Sequence, residues 1–277
     1  MSTFIKITIA IKSMLQKEQV LAVAKEQRVT TVPSMADAHC HLDLLDADGI
    51  SNAIKGGVQL MVTDGVDTKS NLASLKLADR INIFAALGVD PEHAAISDEE
   101  LEFNITLVRS NKAAIVAIGE IGLDRKLATS EAGMKRQRQV FGKFLDLAVS
   151  LNMPVSVHAR NAIDEVLQLL ADKGVQKAHL HFFEGDVEQA KRAERLGYMI
   201  SIPPFRSSRR DRVIKDIAID NILAESDAPA AGTTPLDVKK SIGIVAAAKG
   251  ISFEKAAEVL FYNTRRFFGI DAGFMRH

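Results

Sequence analysis

The sequence predicts an α/β protein built as an eight-stranded parallel (β/α)8 barrel of the TIM type, preceded by a short N-terminal extension. About eight short apolar or β-branched runs are each followed by turn residues and then by apolar residues at helical spacing. That alternation is typical of βα units and a parallel sheet. Removing the first 34 of the 277 residues leaves 243, close to the roughly 250 of such a barrel. The composition, 47% hydrophobic and 25% charged, is that of a globular protein and excludes collagen-like, disordered or coiled-coil architectures.

The predicted strands follow one another at intervals that leave room for a helix. They cover residues 35–39, 59–63, 83–88, 115–119, 154–157, 178–180, 198–202 and 222–224. Apolar residues at helical spacing fill the gaps, for example over 141–151 and 163–170. A last helix over 253–267 closes the chain.

The first 34 residues differ from the rest and are predicted to form a separate extension, with a single barrel domain over 35–277. A short apolar ladder is followed by a helical pattern that ends near Thr30 and Pro33. We expect the extension to be either a docking helix or a segment translated from an upstream start.

Charge and cysteine content limit the partners and the compartment. Lys and Arg total 35 and so do Asp and Glu, so the whole chain offers no long-range attraction to nucleic acid or to an anionic membrane. The one cysteine, Cys40, allows no intrachain disulfide. Lys6 and Lys12 interrupt the longest apolar run near the start. We therefore expect a cytoplasmic protein with no membrane partner, and we expect a monomer.

Polar side chains able to bind metal fall at the carboxyl ends of the predicted strands. They are His39, His41, Glu120, His158, His181 and Asp227. The carboxyl ends of barrel strands converge on one mouth, where catalysis takes place. Each residue alone has an interpretation that involves no metal, such as a Glu120–Arg125 ion pair. To exclude a metal site, all of these separate interpretations would have to be true at once. Imidazole and carboxylate ligands without cysteine favour an open catalytic metal site over a closed structural one.

Alternation along the strands orders the remaining candidates. His39 and His41 share a face, and Cys40 points away from them. His179 and His181 also share a face; His181 is preferred because it is nearer the rim, and His179 is expected to lie lower in the barrel. Glu225 lies one layer below Asp227 and is expected to support the site.

Seven motifs in barrel order make the chain resemble the TatD family of metal-dependent hydrolases, within the amidohydrolase-like barrels. They are DAHCHLD at 37–43, GVDP at 88–91, GEIGLD at 119–124, HAR at 158–160, HFFEG at 181–185, ESDAP at 225–229 and NTR at 263–265. The resemblance implies a deoxyribonuclease, expected to be an exonuclease, that hydrolyses phosphodiester bonds through a metal-activated water.

The resemblance also implies two divalent ions per chain, of zinc, magnesium or manganese. By this analogy His39, His41 and Asp227 hold one ion, His158 and His181 hold the other, and Glu120 bridges them. Asp227 is also the expected general base.

The chain departs from the family pattern at several positions. Asp90 stands where the family has a histidine that is thought to contact substrate. Three explanations stay open: His93 substitutes for it, Asp90 binds an additional ion, or the substrate is not a phosphodiester. Asn161 ends a motif that usually ends in aspartate, and Glu184 replaces a small hydroxyl residue.

Two arginine features point to phosphate. Arg160 offers a planar fork for a phosphate oxygen, or else pairs with a carboxylate. Four arginines, including Arg206 and Arg209, follow strand seven within 205–212. This segment is either a phosphate-steering loop, with Phe205 available to stack on a base, or a solvated charged turn.

Three functions remain open on these residues. The first is a nuclease acting on DNA, with single-stranded ends as the expected partner. The second is a small-molecule amide, ester or lactone hydrolase on the same binuclear centre, which the neutral net charge and Asp90 would suit. The third, a metal-containing scaffold without chemistry, is disfavoured by the intact set of six ligands.

Overall fold

A computed structural model describes residues 32–270 of the chain, and these residues form the predicted barrel. Eight parallel strands pair in sequence order from β1 to β8. Each strand is followed by helical structure before the next strand begins. The predicted fold class is therefore confirmed. The predicted extension falls, up to residue 31, outside the described residues.

The strands agree closely with the predicted ones. They are β1 Met35–Cys40, β2 Val58–Asp64, β3 Ile83–Leu87, β4 Ile115–Asp124, β5 Val155–Arg160, β6 Ala178–Leu180, β7 Met199–Ile202 and β8 Ile222–Ala224. Strands β4 and β5 run further than predicted because their pairing continues through Gly122↔His158 and Asp124↔Arg160. Glu120 and His158 therefore lie inside strands, and not just beyond their ends.

Helices cover the outside of the sheet. Within the described residues they are α1 Ala47–Lys55, α2 Thr68–Leu77, α3 Asp98–Ser110, α4 Glu131–Leu151, α5 Ile163–Asp172, α6 Val187–Arg195, α7 Ser208–Asp216, α8 Val238–Lys249 and α9 Phe253–Phe268. Several begin at a serine whose hydroxyl accepts a backbone N–H of the first turn, such as Ser97, Ser130 and Ser252. None of the described helices is long and apolar enough to cross a membrane.

The barrel is nearly closed by contacts between β1 and the segment after β8. The Asp227 N–H donates to the His39 carbonyl (3.0 Å), and the His41 N–H donates to the Ala228 carbonyl (2.8 Å). The buried Asp37 carboxylate accepts the backbone N–H and the hydroxyl of Ser226, at 2.8 and 2.5 Å. These bonds fix the first and last strands at the height where Asp227 and both histidines occur.

Apolar side chains fill both sides of the sheet. The outer core lies between strands and helices and includes the fully buried Phe141 and Phe144 of α4. A smaller inner core combines small strand residues such as Ala36 and Ala38 with Phe267 and Phe268 of α9. The ring of His179 lies edge-on to the rings of Phe267 and Phe268 and 6.4 Å from the ring of His39, so this inner core adjoins the polar side chains from below.

Candidate metal centre

The six side chains predicted to bind metal come together in the structure. Their donor atoms form three overlapping groups in which all atoms lie within 4.8 Å of one another. The groups are His39, His181 and Asp227; His39, His41 and Glu120; and Glu120, His158 and His181. His179 belongs to none of these groups among the described residues.

The first half of the cluster is built on β1 and the segment after β8. Nε2 of His39 and Nε2 of His41 face each other at 3.3 Å. Oε2 of Glu120 lies 3.4 Å from the first of these nitrogens and 3.6 Å from the second. Oδ1 of Asp227 lies 3.8 Å and 3.4 Å from them. Both carboxylates thus lie within 4 Å of both imidazole nitrogens.

The second half of the cluster is built on β5 and the segment after β6. Nδ1 of His158 lies 2.9 Å from Oε1 of Glu120, and Nε2 of His181 lies 3.0 Å from the same oxygen. The two ring nitrogens are 3.1 Å apart. Glu120 therefore directs one oxygen into each half of the cluster, which is the placement of a bridging carboxylate.

Glycines bring Glu120 close enough to its neighbours. A Cβ atom on Gly119 would lie 2.5 Å from the Ser156 side chain and 2.9 Å from Oδ1 of Asp64. Gly122 has φ +149°, and a Cβ there would lie 2.0 Å from the His158 carbonyl oxygen. Only glycine fits at both positions, because any side chain would push β4 away from β5.

Two further carboxylates orient the histidines, and the sequence analysis did not assign them this role. The backbone carbonyl of Asp64 accepts a hydrogen bond from Nδ1 of His41 (3.0 Å). The carboxylate of Asp64 lies 3.3 Å from Nδ1 of His39. Asp124 lies 2.8 Å from Nε2 of His158. Such contacts fix which ring nitrogen faces a metal. Asp64 ends β2 at the same edge as the other polar groups, so its strand position was the available signal.

A buried network supports His181 from below, as expected for Glu225. The Glu225 carboxylate accepts the Ser201 hydroxyl and the Phe182 N–H, both at 2.6 Å, and lies 4.0 Å from Nδ1 of His181. His179 bonds to the Ser201 hydroxyl at 2.7 Å and lies against Phe267. His179 therefore lies lower in the barrel, as predicted.

The carboxylates make the cluster favourable for positive charge. Burial would lower the pKa of His158, but its contacts with Asp124 and Glu120 raise that pKa to about 9. Burial would likewise lower the pKa of His41, but the Asp227 carboxylate outweighs it and raises the pKa to about 8. Burial opposes ionisation of Glu120, yet His181 and His158 hold its pKa well below its usual range.

The geometry and chemistry of this donor set fit divalent cations. Ligand atoms about 2.1 Å from a tetrahedral ion lie roughly 3.4 Å apart, and the first half of the cluster shows separations of 3.3 to 3.8 Å. Nδ1 of each ring faces an oxygen of Asp64, so in the neutral rings both Nε2 atoms carry lone pairs, and a cation between them can bind both. Nitrogen and carboxylate donors suit zinc and manganese, and carboxylates also suit magnesium.

Five of the six side chains of the cluster, all except His39, line a cavity of about 730 Å³. Most of the residues predicted to touch substrate line it, namely Asp90, His93 and Arg160. Phe205, Phe182 and Glu184 also line it, whereas the cavity walls do not include Arg206 or Arg209. The volume is within the usual range for a small-molecule or cofactor site, about 300 to 1,000 Å³.

Comparison with known proteins identifies the family. A family model described as TatD related DNase matches residues 36–269. The chain belongs to the TatD-related DNase family. The predicted resemblance is thus confirmed over nearly the whole described chain.

Individual relatives agree with this TatD-family assignment. The chain is 31% identical to deoxyribonuclease TATDN3 of Homo sapiens, covering 84% of this chain and 94% of that protein. It is 32% identical to an uncharacterized metal-dependent hydrolase of Methanocaldococcus jannaschii, covering 84% and 96%. The crystal structure of YjjV, a TatD homolog from Escherichia coli, matches with a TM-score of 0.78 and 25% identity, covering 87% of this chain and all of that one.

One departure of this TatD-family chain has a local structural explanation. Asp90 accepts the backbone N–H of His93 at 2.9 Å and contacts Nδ1 of its ring at 2.7 Å. The pair places an imidazole, 40% exposed, in the cavity next to the aspartate. The residue named in one of the three explanations for Asp90, His93, is thus Asp90's own partner at the cavity.

Three arginines after β7 of this TatD-family chain make contacts with other residues of the protein. Arg206 pairs with Asp211 at 3.1 Å, and Arg209 donates to the Glu184 carbonyl at 3.2 Å. The buried Arg210 donates to the Phe205 carbonyl. The structure therefore does not bring Arg206 and Arg209 to the cavity, because these contacts fix the loop at the rim. Arg160 forms the ion pair considered for it, with Nε 2.7 Å from Asp124.

Proposed function

We propose that this chain is a metal-dependent deoxyribonuclease that hydrolyses phosphodiester bonds at the ends of single-stranded DNA, with two divalent ions per chain. Its TatD-family membership supports the hydrolase class and the DNA substrate. The observation that carries the proposal is the Glu120 carboxylate, whose two oxygens face two different pairs of imidazoles, His39 with His41 and His158 with His181.

The ligand assignment follows those two groups. His39, His41 and Asp227 would hold one ion, His158 and His181 the other, and Glu120 would bridge them. Divalent ions bound in this way lower the pKa of a coordinated water and polarise a phosphoryl oxygen. Zinc, magnesium and manganese are all compatible with these donors.

Asp227 would act as the general base. Burial would raise the pKa of this carboxyl, but His41 and His39 lower it below its usual value, so it is ionised at neutral pH. Its side chain is 10% exposed and lines the cavity. An ionised carboxylate at that position can accept a proton from the attacking water.

His93 and Arg160 are the proposed phosphate contacts. Asp90 holds Nδ1 of His93 and raises the pKa of its imidazole above the usual value, which leaves Nε2 as a donor. The Arg160 guanidinium is tied by Nε to Asp124 and is one-third exposed at the cavity. Charge-assisted hydrogen bonds from both groups would orient a phosphate above the cluster. Arg206 and Arg209 would not contact the phosphate and would act only by attracting the DNA backbone from a distance.

The shape of the site favours strand ends. Five of the six donor side chains line a cavity that the segments after β3, β4, β5, β6 and β7 all help to form. A terminal nucleotide can enter such a cavity without the rest of the strand having to bend through it. This supports an exonuclease.

The direct test uses end-labelled single-stranded DNA. Protein stripped of metal by a chelator should cleave the label only after Mg²⁺, Mn²⁺ or Zn²⁺ is restored. Asp227→Asn should be inactive, and the matched control Asp220→Asn, an exposed position at the other end of β8, should retain activity. Cleavage no greater than that of Asp227→Asn would contradict the proposal.

A second substrate tests whether the protein is an exonuclease. A circular single strand of the same sequence offers no end, so it should resist cleavage while the linear strand is degraded. Equal rates on both substrates would show an endonuclease and would leave the hydrolytic proposal intact.

We also propose a cytoplasmic monomer. Within the described residues one chain supplies all six donors, so the site needs no partner subunit. The single cysteine is free and buried in the outer core, which suits a reducing compartment. Light scattering on the purified protein would test the oligomeric state.

A further inference from the structure

Two phenylalanines form an apolar wall beside the cluster. Phe182 follows β6 and Phe205 follows β7, and both line the cavity. Their ring centroids are 6.4 Å apart with the planes inclined by 46°, and the Phe182 ring lies 6.5 Å from the ring of His181. Phe205 remains 48% exposed. An exposed aromatic ring that lines the same cavity as candidate metal ligands indicates a ligand surface.

The backbone of Phe182 is held in a conformation that few side chains adopt. Its φ is +46°, in the left-handed region that disfavours bulky residues. Its N–H donates to the Glu225 carboxylate at 2.6 Å and to the Ser201 hydroxyl at 3.2 Å. Two buried acceptors thus fix the position from which the ring projects, as is common where strain serves a binding site.

The backbone of Phe205 is also fixed, although its ring is exposed. Its N–H donates to the Pro203 carbonyl at 2.8 Å. Its own carbonyl accepts the guanidinium of Arg210, a buried arginine. The buried Arg210 thus holds the backbone from which the exposed Phe205 ring projects.

We propose that Phe182 and Phe205 form a subsite for an unpaired nucleobase, with the base stacked on the exposed face of Phe205. This inference rests on the proposed nuclease function and specifies its substrate as a strand end whose last base is unstacked. Groups able to carry positive charge lie around the rim at β3, β4 and β5, as His93, Lys126 and Arg160. The aromatic pair lies at β6 and β7. Phosphate and base would therefore have separate surfaces within one cavity.

The apolar rings of Phe182 and Phe205 favour a ligand with an aromatic face, such as a nucleobase. Stacking on an aromatic side chain is tolerant of base identity because every base has a π face. A base inside a duplex has both faces covered by its neighbours, so it would have to leave the stack first. The chain has no tryptophan, so phenylalanine is the residue left to supply an extended face without a polar group.

The test is a short single strand with a terminal 2-aminopurine and phosphorothioate linkages that resist hydrolysis. Stacking quenches the fluorescence of 2-aminopurine, and a protein without tryptophan adds little background. Wild-type protein with Mn²⁺ should quench the signal on binding. Phe205→Ala should weaken binding by about 5- to 150-fold and remove the quenching. Phe205→Leu, which keeps an apolar side chain, should restore part of the affinity but not the quenching.

The matched control is Phe103→Ala, because Phe103 is 51% exposed on α3 and does not line the cavity. It should bind and quench like wild type. A terminal abasic nucleotide should be cleaved with the same KM by wild type and by Phe205→Ala. If wild type cleaves DNA but Phe205→Ala quenches and binds like the control, the base subsite is wrong and the nuclease stands. If wild type does not cleave DNA at all, the proposed function itself fails.

Discussion

Nε2 of His158 lies 2.8 Å from Oδ2 of Asp124, so the opposite ring nitrogen of His158 points into the cluster. The same carboxylate accepts the backbone N–H groups of Lys126 and Leu127 at 2.8 and 3.0 Å. These hydrogen bonds fix the position of the Asp124 carboxylate independently of its contact with His158. The orientation of one candidate ligand is therefore set by a turn that does not touch the cluster.

Asp124→Asn should lower metal affinity by about 10- to 100-fold, which is the usual cost of losing such a supporting contact. The amide keeps the volume but removes the charge that favours an Nε2–H on His158. Chelator competition would measure the affinity, with Asp220→Asn as the control. Unchanged affinity would show that His158 is not held for metal binding.

Glu120→Ala should abolish DNA cleavage and reduce bound metal from two ions to at most one per chain. The side chain is 5% exposed and provides an oxygen to each half of the cluster. Metal analysis after dialysis would give the stoichiometry, and circular dichroism would verify the fold. A folded variant with two bound ions and normal turnover would contradict the bridging role.

The affinity for DNA should fall as pH rises through the pKa of His93. Asp90 raises this pKa above 6.5, so below it the imidazole is charged and can bind phosphate. KM should rise by about 10-fold once the charge is lost. Asp90→Asn removes the carboxylate, so the rise should begin at lower pH.

His93→Gln provides the control for that titration, since it cannot gain a proton. Its KM should lack the rise that the wild type shows. If KM begins to rise at the same pH in wild type and in Asp90→Asn, the titrating group is not His93 paired with Asp90.

A separate prediction concerns stability at the start of α8. Burial opposes ionisation of Asp237, but Lys240 and the N–H and hydroxyl of Thr233 outweigh it and lower its pKa to about 2. Because the folded pKa is below the unfolded value near 3.9, the stabilisation is complete above about pH 5 and is lost as pH falls towards 2. Asp237→Asn should cost on the order of 1 to 2 kcal/mol at pH 7.

Urea unfolding with a chelator present would measure this effect at pH 7 and at pH 3. The difference between wild type and Asp237→Asn should shrink at the lower pH. A difference that is constant with pH would mean that hydrogen-bond geometry, and not the charge, is responsible.

The donor set could be predicted because it follows from strand position. His39, His181 and Asp227 are far apart in the chain, yet the carboxyl ends of parallel barrel strands must meet at one rim. The sequence pattern locates those ends within a few residues. The family resemblance then adds the roles that position alone leaves open.

The supporting contacts could not be predicted, because they depend on register and on side-chain direction. Asp64 lies one residue beyond the end of the predicted second strand. The contact of Asp124 with His158 follows from the continued pairing of β4 with β5. Arg210 belongs to a charged run that the sequence presents as uniform, and only the packing separates the buried arginine from its exposed neighbours.

Anomalous diffraction from crystals grown with Mn²⁺ would test most directly whether these six side chains form a metal centre. Two peaks are expected, one among His39, His41 and Asp227 and one beside His158 and His181, with Glu120 contacting both. A single peak within the cluster would contradict the two-ion assignment. Manganese bound elsewhere, with no peak among these six side chains, would contradict the metal centre itself.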